Sequence, residues 1–452
     1  MIQNERIRVL NNKPQKNGDY VLYWMQSSQR TNFNHALEYS IIKANSLNKP
    51  VLVFFGLNEK FPNGNLRNFS FMLEGLHEVQ KSLEERKIKF ILLKTSPEVG
   101  ATQLSNNASI VVTDKGYLRN ERSWRNYVAI NIDCPLIEIE SNTVVPIEEV
   151  SKKEEYSAAT IRPKINKLLN VYLLPLKQNI PIKSSLSLPY DTLNLDNMEE
   201  LIKSLKIDTT VPSSPHLFGG TSEAMSNLET FIKKKLDRYD ELRNNPSLDY
   251  LSNMGPYLHF GQISPIFIAL KILEIDSPGK GPYLEELIVR RELSMNYTYY
   301  NPKYDSFEGL PEWCKRTLEI HEKDTRDYTY SKKDFEMAKT HDPYWNAAQN
   351  EMVYYGKMHG YMRMYWGKKI IEWTKSPKEA YEILLYLNDK YELDGRDANG
   401  YTGVAWCFGK HDRPWSERKI FGNIRYMNDK GLKRKFDPDA YAKKINDYVS
   451  KI

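Results

Sequence analysis

Residues 356–373 read GKMHGYMRMYWGKKIIEW. Trp366 and Trp373 stand seven residues apart, and Arg363, Met364 and Tyr365 immediately precede the first of them. Seven residues at about 100° each return to nearly the same helical face, roughly 10 Å further along the axis. Two indoles in register, with an oxidisable phenol and a cation beside them, could pass single electrons. Core packing produces the same heptad spacing, and the pattern alone does not choose between the two.

Three other stretches carry residue types suited to chemistry. LSNMGPYLHFGQIS (251–264) reads as a helix start, with Pro256 in the first turn and Ser252, Asn253 and Gly255 able to offer a hydroxyl, an amide and backbone N–H groups to an anion. A plain capped helix would look the same. EELIVRRE (285–292) places acids and bases on a helix, as a solvated face also does. YELDGRDANGYTGVAW (391–406) is a Gly/Asp/Asn-rich loop leading to a lone Trp406, a candidate ligand loop. Near the C-terminus, KHDRPWSERK (410–419) and RYMNDKGLKRKFD (425–437) interleave bases with aromatic rings. Rings can stack on nucleobases while Lys and Arg meet phosphates, although a basic run can equally be a solvated face.

Composition narrows the classes. The 452 residues allow two or three domains, and 27 % charged residues describe a soluble chain. No apolar run is long enough to span a bilayer, and no apolar signal-peptide core opens the chain. Cys134, Cys314 and Cys407 are widely separated, and the eight histidines do not pair at ligand spacings. No metal site and a reducing compartment are expected. A net charge of +6 is compatible with nucleic acid without demanding it.

The elements that must position these residues fall into two halves. DYVLYWM (19–25), KPVLVFFGL (49–57), KFILLKT (89–95), ASIVVTD (108–114) and PLIEIES (135–141) are apolar, β-rich runs separated by amphipathic helical stretches. This predicts an α/β N-terminal domain with a parallel five-stranded, Rossmann-like sheet, although no GxGxxG follows the first strand. Residues 179–218 are rich in Pro, Ser and Asn and read as an interdomain linker. Residues 219–452 are helical in pattern and hold six of the eight tryptophans. Ser376 with Glu379, and Pro377 between them, mark one helix start. The division is therefore 1–178, linker 179–218, and an all-α domain 219–452.

Taken in order, YWMQSSQR, YDELRNNP, LSNMGPYLHFGQIS, EELIVRREL, DPYWNAAQ, GKMHGYMRMYW, YELDGRDANGYTGVAW and GNIRYM closely resemble the class II cyclobutane pyrimidine dimer photolyases of the photolyase/cryptochrome superfamily. The resemblance covers nearly the whole chain. It implies light-driven DNA repair, in which photoexcited FADH− gives an electron to a flipped-out dimer, the cyclobutane ring splits and the electron returns. It implies FAD in the helical domain, held by Tyr239, Leu251, Ser252, Asn253, Met254, Gly255, Arg291, Arg363, Asp394, Gly395 and Asp397. Asn388 would face the flavin ring, and Arg363 with Asp394 would form the ion pair beside it. Trp366, Trp345 and Trp373 match the electron-transfer chain of the class. Glu286 matches the acid that hydrogen-bonds the dimer carbonyls, and Trp406, Met364 and Asn244 line the dimer pocket. Arg243 lies beside the DNA, while Asp412, Arg413, Trp415 and Arg425 correspond to the segment entering the gap left by the flipped bases. Two positions depart from the pattern: Arg290 stands where some class members carry tryptophan, and Met295 replaces a common aspartate.

The rival is a cryptochrome-like blue-light photoreceptor that signals through flavin photoreduction. Glu286, Asn244, the basic C-terminal segment and the absence of a long tail argue for repair. The resemblance further implies an antenna chromophore in the α/β domain, with 8-hydroxy-5-deazaflavin preferred over folate. Damaged double-stranded DNA is the expected partner. A monomer in the cytoplasm, associated with the nucleoid of a prokaryotic source, is expected.

Overall fold

The computed structural model describes residues 2–451. Its N-terminal half is built on a six-stranded sheet of β1 (Ile7–Val9), β2 (Tyr20–Trp24), β3 (Val51–Gly56), β4 (Lys89–Leu93), β5 (Ala108–Asp114) and β6 (Leu136–Ile139), in the order β1-β6-β5-β2-β3-β4. The five expected strands are present and mutually parallel. Every residue of β2, β3, β5 and β6 is buried, which is why β2 and β3 read as unbroken apolar runs and β5 and β6 as mainly apolar ones.

The sixth strand was not expected. β1 pairs antiparallel with β6, Arg8 facing Glu138, and its residues are half-buried or exposed. Three residues with an arginine in the middle carry no apolar signature, and the charge suits an edge that must not recruit another strand. The opposite edge is also covered. The backbone N–H of Lys89 donates to Ser185 Oγ at 2.7 Å, that of Leu92 to Thr192 Oγ1 at 2.9 Å, and that of Leu193 to Leu92 O at 2.9 Å. Residues 185–193 therefore run along β4, and Leu195, Leu201 and Leu205 of the same connection bury themselves in the core of the sheet half.

Chain order reverses at β2, which lies between β5 and β3. In such sheets a crevice opens beyond the carboxyl ends of the strands at the reversal. The Asp114 carboxylate closes its floor, accepting from Tyr23 Oη at 3.0 Å and from the Gln26 N–H at 2.9 Å.

The rest of the chain is helical. The helices Pro343–Tyr355, Gly360–Trp373, Pro377–Tyr391 and Ala398–Cys407 share one core with Trp345, Trp366 and Trp373. No helix among the described residues is long and apolar enough to cross a membrane. Helix Ala158–Tyr172 packs its Ile161, Ile165 and Tyr172 with Leu228, Phe231 and Tyr257 of the helical half.

Buried arginines join the halves. Arg30 donates to Gly261 O at 2.8 Å and Arg291 to Asn142 O at 2.6 Å. Arg67, only 1 % exposed, donates to the carbonyls of Pro212, Met352, Tyr391 and Val353 at 2.6 to 3.2 Å. Arg67→Met would keep most of the packing and remove the charged donor from four carbonyls that water reaches poorly. We expect a loss on the order of 3 kcal/mol, read as a lower urea midpoint with an unchanged slope. An unchanged midpoint would deny the arginine this role.

Candidate cofactor cluster and nucleic-acid face

The helix Gly360–Trp373 presents different chemistry on different faces. Its first turns point Arg363 at a buried acidic turn: Nη2 donates to Asp394 Oδ1 at 3.0 Å and lies 2.8 Å from Glu392 Oε2. Glu392 has no exposed surface. Burial pushes its carboxyl up to about 8 against the pull of Arg363. Burial also opposes charge on Asp394, but Arg363 and then Lys357 outweigh it and hold that group below the usual carboxylate range. Asp397, at the start of the Ala398–Cys407 helix, is raised to about 6 by burial while Arg291 pulls the other way. His259 Nδ1 lies 3.8 Å from Asp397 Oδ2, and burial lowers this imidazole to about 3, so it is neutral there.

Close approach makes this cluster possible. A Cβ at Gly255 would fall 2.4 Å from Asp394 Oδ2, and one at Gly395 2.7 Å from Asn388 O. Asn388 is buried, donates to Asp389 Oδ1 at 3.0 Å, and lies 3.0 Å from where a side chain on Gly400 would begin. Asn253 holds a left-handed backbone with φ 59°, and its amide oxygen accepts from Lys357. Tyr239 is buried edge-on against Tyr283 and Phe231, and Met254 beside Gly255 is buried with them. Leu251 and Ser252 are half-buried in the preceding loop, where Ser252 Oγ accepts from the Met254 N–H at 3.4 Å.

The cluster is not complete on protein atoms alone. Arg291 Nε, Arg363 Nε, Arg243 Nε and His359 Nε2 are buried without a partner among the described residues. Buried donors are ordinarily paired, and the free Nε atoms of Arg363 and Arg291 beside the acidic turn fit a ligand that carries acceptors. No group of side chains among the described residues could hold a metal ion.

The later turns of the same helix carry the indoles. Trp345, from the facing helix Pro343–Tyr355, stacks on Trp366 with ring centres 6.4 Å apart and planes 11° apart. It meets Trp373 at 6.1 Å and 65°. Trp345 Nε1 donates to Trp366 O at 3.0 Å, and Trp366 Nε1 to Gln349 Oε1 at 2.9 Å. Trp373 in turn touches Tyr330 and His341, and His341 stacks on the half-exposed Tyr328 at 3.7 Å. The rings are packed, and they also form a continuous aromatic path from the interior to the surface.

A second face gathers the remaining candidates. Residues 285–290 form a π-helical turn, a geometry that re-aims side chains and recurs at functional sites. Here Glu286 Oε1 accepts from Arg243 Nη1 at 3.0 Å. Arg243 lies over the Tyr239 ring at 5.4 Å, and Asn244 follows it in the same loop. Arg290 turns to Glu285 at 3.2 Å, beside a bidentate contact from Arg162 to the same carboxylate. It supplies no aromatic surface. Met295 is buried with Tyr117, Ile147 and Ala398 in a small apolar cluster that would not suit an aspartate.

Trp406 and Met364 are half-buried against the helical core. Neighbouring Gly360 and Gly403 would meet nothing within 4 Å if given a side chain, so open space lies along these helices. Arg425 lies 5.8 Å from the Trp406 ring and 5.1 Å from that of Trp415, which is 41 % exposed and also flanked by Arg413 at 5.6 Å. Trp415 Nε1 donates to Asp412 Oδ2 at 3.2 Å.

This loop is anchored from the other half of the chain. Lys410 pairs with Glu154, His411 Nδ1 meets Tyr156 O at 2.7 Å, and Tyr156 Oη donates to Asp412 O at 3.1 Å. His411 holds φ 61° and Gly409 φ 101°, so the backbone turns sharply where it is held.

Lys357, Glu392, His259 and the 154–156 support were absent from the sequence reading. Each of the first three lies inside a quoted motif, but a charge in a loop looks solvated until the fold covers it.

Three comparisons bear on this arrangement. The DNA photolyase family model matches residues 21–182. The chain is 52 % identical over 450 residues to the deoxyribodipyrimidine photo-lyase of Methanothermobacter thermautotrophicus, covering 98 % of this chain and 99 % of that protein. Among solved structures, a class III photolyase from Agrobacterium tumefaciens superposes with a TM-score of 0.73 at 17 % identity, over 95 % of this chain and 86 % of its own. An archaeal photolyase from Sulfolobus tokodaii, solved with two FAD molecules, gives 0.72 at 16 % over 94 % and 89 %. At those identities the structural likeness speaks for the fold.

The anchored loop yields a prediction about order. Glu154→Ala combined with Tyr156→Phe removes two of the three anchors and no core residue. Amide exchange over residues 409–415 should rise at least about tenfold, a local loss near 1.4 kcal/mol, with global unfolding little changed. Exchange equal to that of the parent protein would show that the loop holds itself.

Proposed function

This chain belongs to the DNA photolyase family, and from that premise we propose that it repairs cyclobutane pyrimidine dimers in double-stranded DNA by light-driven electron transfer, with FAD as its resident cofactor. The observation that carries the reading is the continuity of parts along one helix. Arg363 lies in the buried charge cluster, Met364 lies beside open space, and Trp366 begins a stacked indole path to the surface.

Under this reading, Arg291, Arg363 and Asp397 hold the cofactor together with Tyr239, Gly395 and the 251–255 loop. The unpartnered guanidinium nitrogens of Arg291 and Arg363 support the fit. Bound there in its reduced form, FAD supplies a light-absorbing one-electron donor. Arg363 supplies a fixed positive charge that favours an anionic neighbour, and its two acids hold it in place. Asn388, buried and braced by Asp389, offers a neutral amide that does not titrate.

On the substrate side, Glu286 is read as the group that bonds the dimer carbonyls and stabilises negative charge as it develops there. Trp406 gives the dimer a flat apolar surface, with Met364 and Asn244 completing the pocket. Arg413, Trp415 and Arg425 present one ring between two cations, a combination suited to phosphates and to the gap left by flipped bases. A photoreceptor would need the indole path but not Glu286 or this anchored basic loop.

A cavity on the sheet side, which His259 of the charge cluster also lines, supports an antenna chromophore. It opens at the sheet's reversal point, walled by Phe55, Phe61, Phe69, Trp124 and Phe260. Ser27 Oγ, Gln29 Oε1 and Asn68 Nδ2 in or beside it lack partners among the described residues. Aromatic walls with buried, unpartnered polar atoms among them suit a flat fused-ring chromophore, and 8-hydroxy-5-deazaflavin remains our choice over folate.

Two measurements test the reading. Trp366→Phe keeps the volume nearly constant while removing the indole, so stability should hold. Under illumination its oxidised cofactor should be reduced at least about tenfold more slowly, a change near 1.4 kcal/mol in barrier, while repair by chemically pre-reduced protein survives. Reduction as fast as in the parent protein would sink the relay. Glu286→Ala should lower single-turnover repair of a defined thymine dimer by reduced protein several-fold, with cofactor content and photoreduction unchanged. Parent protein that binds the dimer and never splits it under calibrated light would overturn the repair function itself.

A further inference from the structure

Glu286 is paired with Arg243, and the pairing conflicts with the role read for Glu286. A carboxylate can only accept hydrogen bonds, and the carbonyl oxygens of a pyrimidine dimer can only accept as well. Glu286 can bond them only after taking up a proton, yet in the free protein its Oε1 is engaged as an acceptor by Arg243 Nη1 at 3.0 Å.

The surroundings leave Arg243 as the only cation in ion-pair contact with this group among the described residues. On its own π-helical turn, neighbouring Glu285 is already engaged by Arg290 and by Arg162 of the Ala158–Tyr172 helix. On the facing turn, Tyr239 carries Arg243 on its ring, and Asp240 Oδ1 is 3.9 Å from Arg243 Nη2. The Arg243 side chain is about a quarter exposed and that of Glu286 nearly half, so both can be reached from the side where DNA would lie. Arg243 Nε is buried and unpartnered, so the guanidinium is not fully committed to its protein contacts.

We propose that lesion binding makes Glu286 a hydrogen-bond donor: lesion-containing DNA draws Arg243 onto a phosphate, and Glu286, released and covered by the dimer, takes up one proton from solvent. This rests on the repair reading above. A phosphate offers the planar guanidinium two oxygens and full charge complementarity, and is a better partner than a half-exposed carboxylate. Losing its cation and being covered by a neutral dimer both disfavour charge on a carboxyl group. The proton comes from solvent or buffer, lands on a Glu286 oxygen, and is then shared with a dimer carbonyl. No other bond forms or breaks. Glu286 thus becomes a hydrogen-bond donor only where a lesion is bound. The same exchange discriminates against undamaged duplex, which leaves nothing over Glu286 to exclude water.

Calorimetric titration of the FAD-containing protein in the dark tests this, using a duplex with one defined thymine dimer. The titration is run at one pH and ionic strength in phosphate and in Tris, whose ionisation enthalpies differ. The difference in observed heat gives the protons exchanged on binding. We expect uptake of about one proton per lesion bound, and none with the undamaged duplex. Glu286→Gln should bind the lesion with the uptake abolished. Arg243→Gln should retain the uptake, bind more weakly, and lose roughly 0.9 from the slope of log affinity against log salt. Lesion binding by the parent protein with no proton uptake would overturn the proposal while leaving the repair function standing. Uptake that persists in Glu286→Gln would overturn it by placing the proton elsewhere, and an unchanged salt slope in Arg243→Gln would overturn the transfer to phosphate. A protein that binds both duplexes alike would sink the repair reading first.

Discussion

The burial of Arg363 against Asp394 and Glu392 is the constraint on which the rest of the helical half depends. The Arg363–Asp394 pair gains little net stability, because taking both charges from water offsets most of their attraction, while burial disfavours charge on Glu392. Apolar residues of similar volume would hold these helices together as well. What the pair provides is position. It ties the first turns of the Gly360–Trp373 helix to the 392–397 turn, and so fixes the start of the Ala398–Cys407 helix and the end of the Pro377–Tyr391 helix. Gly395 lets its backbone approach that of Asn388 more closely than a Cβ would allow, and Gly255 leaves room for the Asp394 carboxylate. Asn388, Trp406 and the indoles are therefore placed relative to one anchored charge.

That anchoring explains how one helix serves several tasks. Trp366 and Trp373 lie two turns apart, too far for their rings to touch directly. Trp345 enters between them from another helix and makes contact with both. Its indole N–H donates to the Trp366 carbonyl, so the intervening ring is held by the helix it bridges. Packing and relay are then not competing explanations. A path of rings must be well packed, because loose rings would vary in separation.

Legibility in the sequence follows burial. The five parallel strands could be read because residues buried on both faces leave mainly apolar runs. β1 could not, since an edge strand of three residues centred on Arg8 has no such run. Pro, Ser and Asn marked residues 179–218 as irregular backbone, but composition does not say where irregular backbone goes. Here part of it pairs with the free edge of β4 through Ser185, Thr192 and Leu193. The helix at Glu285–Arg290 was expected, and its π geometry was not, because the two differ in hydrogen-bond register rather than in residue type. Heptad spacing related Trp366 to Trp373, but nothing periodic relates either of them to Trp345, whose place came from resemblance. Lys357, His259 and Glu392 looked like ordinary loop polarity until the fold closed over them.

The same electrostatics separates the indoles by task. In the reading proposed here, some tryptophans must give up an electron and one must not. Oxidation leaves a ring positively charged, so a nearby cation opposes it. Trp406 has Lys368 Nζ at 5.3 Å on one side and Arg425 at 5.8 Å. Lys368 is buried, donates to Cys407 O, and makes no ion pair among the described residues, so little screens its charge at short range. Burial also lowers this ammonium to about 8, so its hold on Trp406 weakens in alkaline solution. Trp345 and Trp366 have no cation over their rings among the described residues, and their N–H groups point at neutral acceptors. Trp373 does lie 5.4 Å from Lys369, but that ammonium is paired with Glu372 at 2.6 Å, which cancels much of its field. Two adjacent lysines on one helix therefore have opposite consequences: Lys368 makes the Trp406 ring difficult to oxidise, while Lys369 is neutralised beside Trp373.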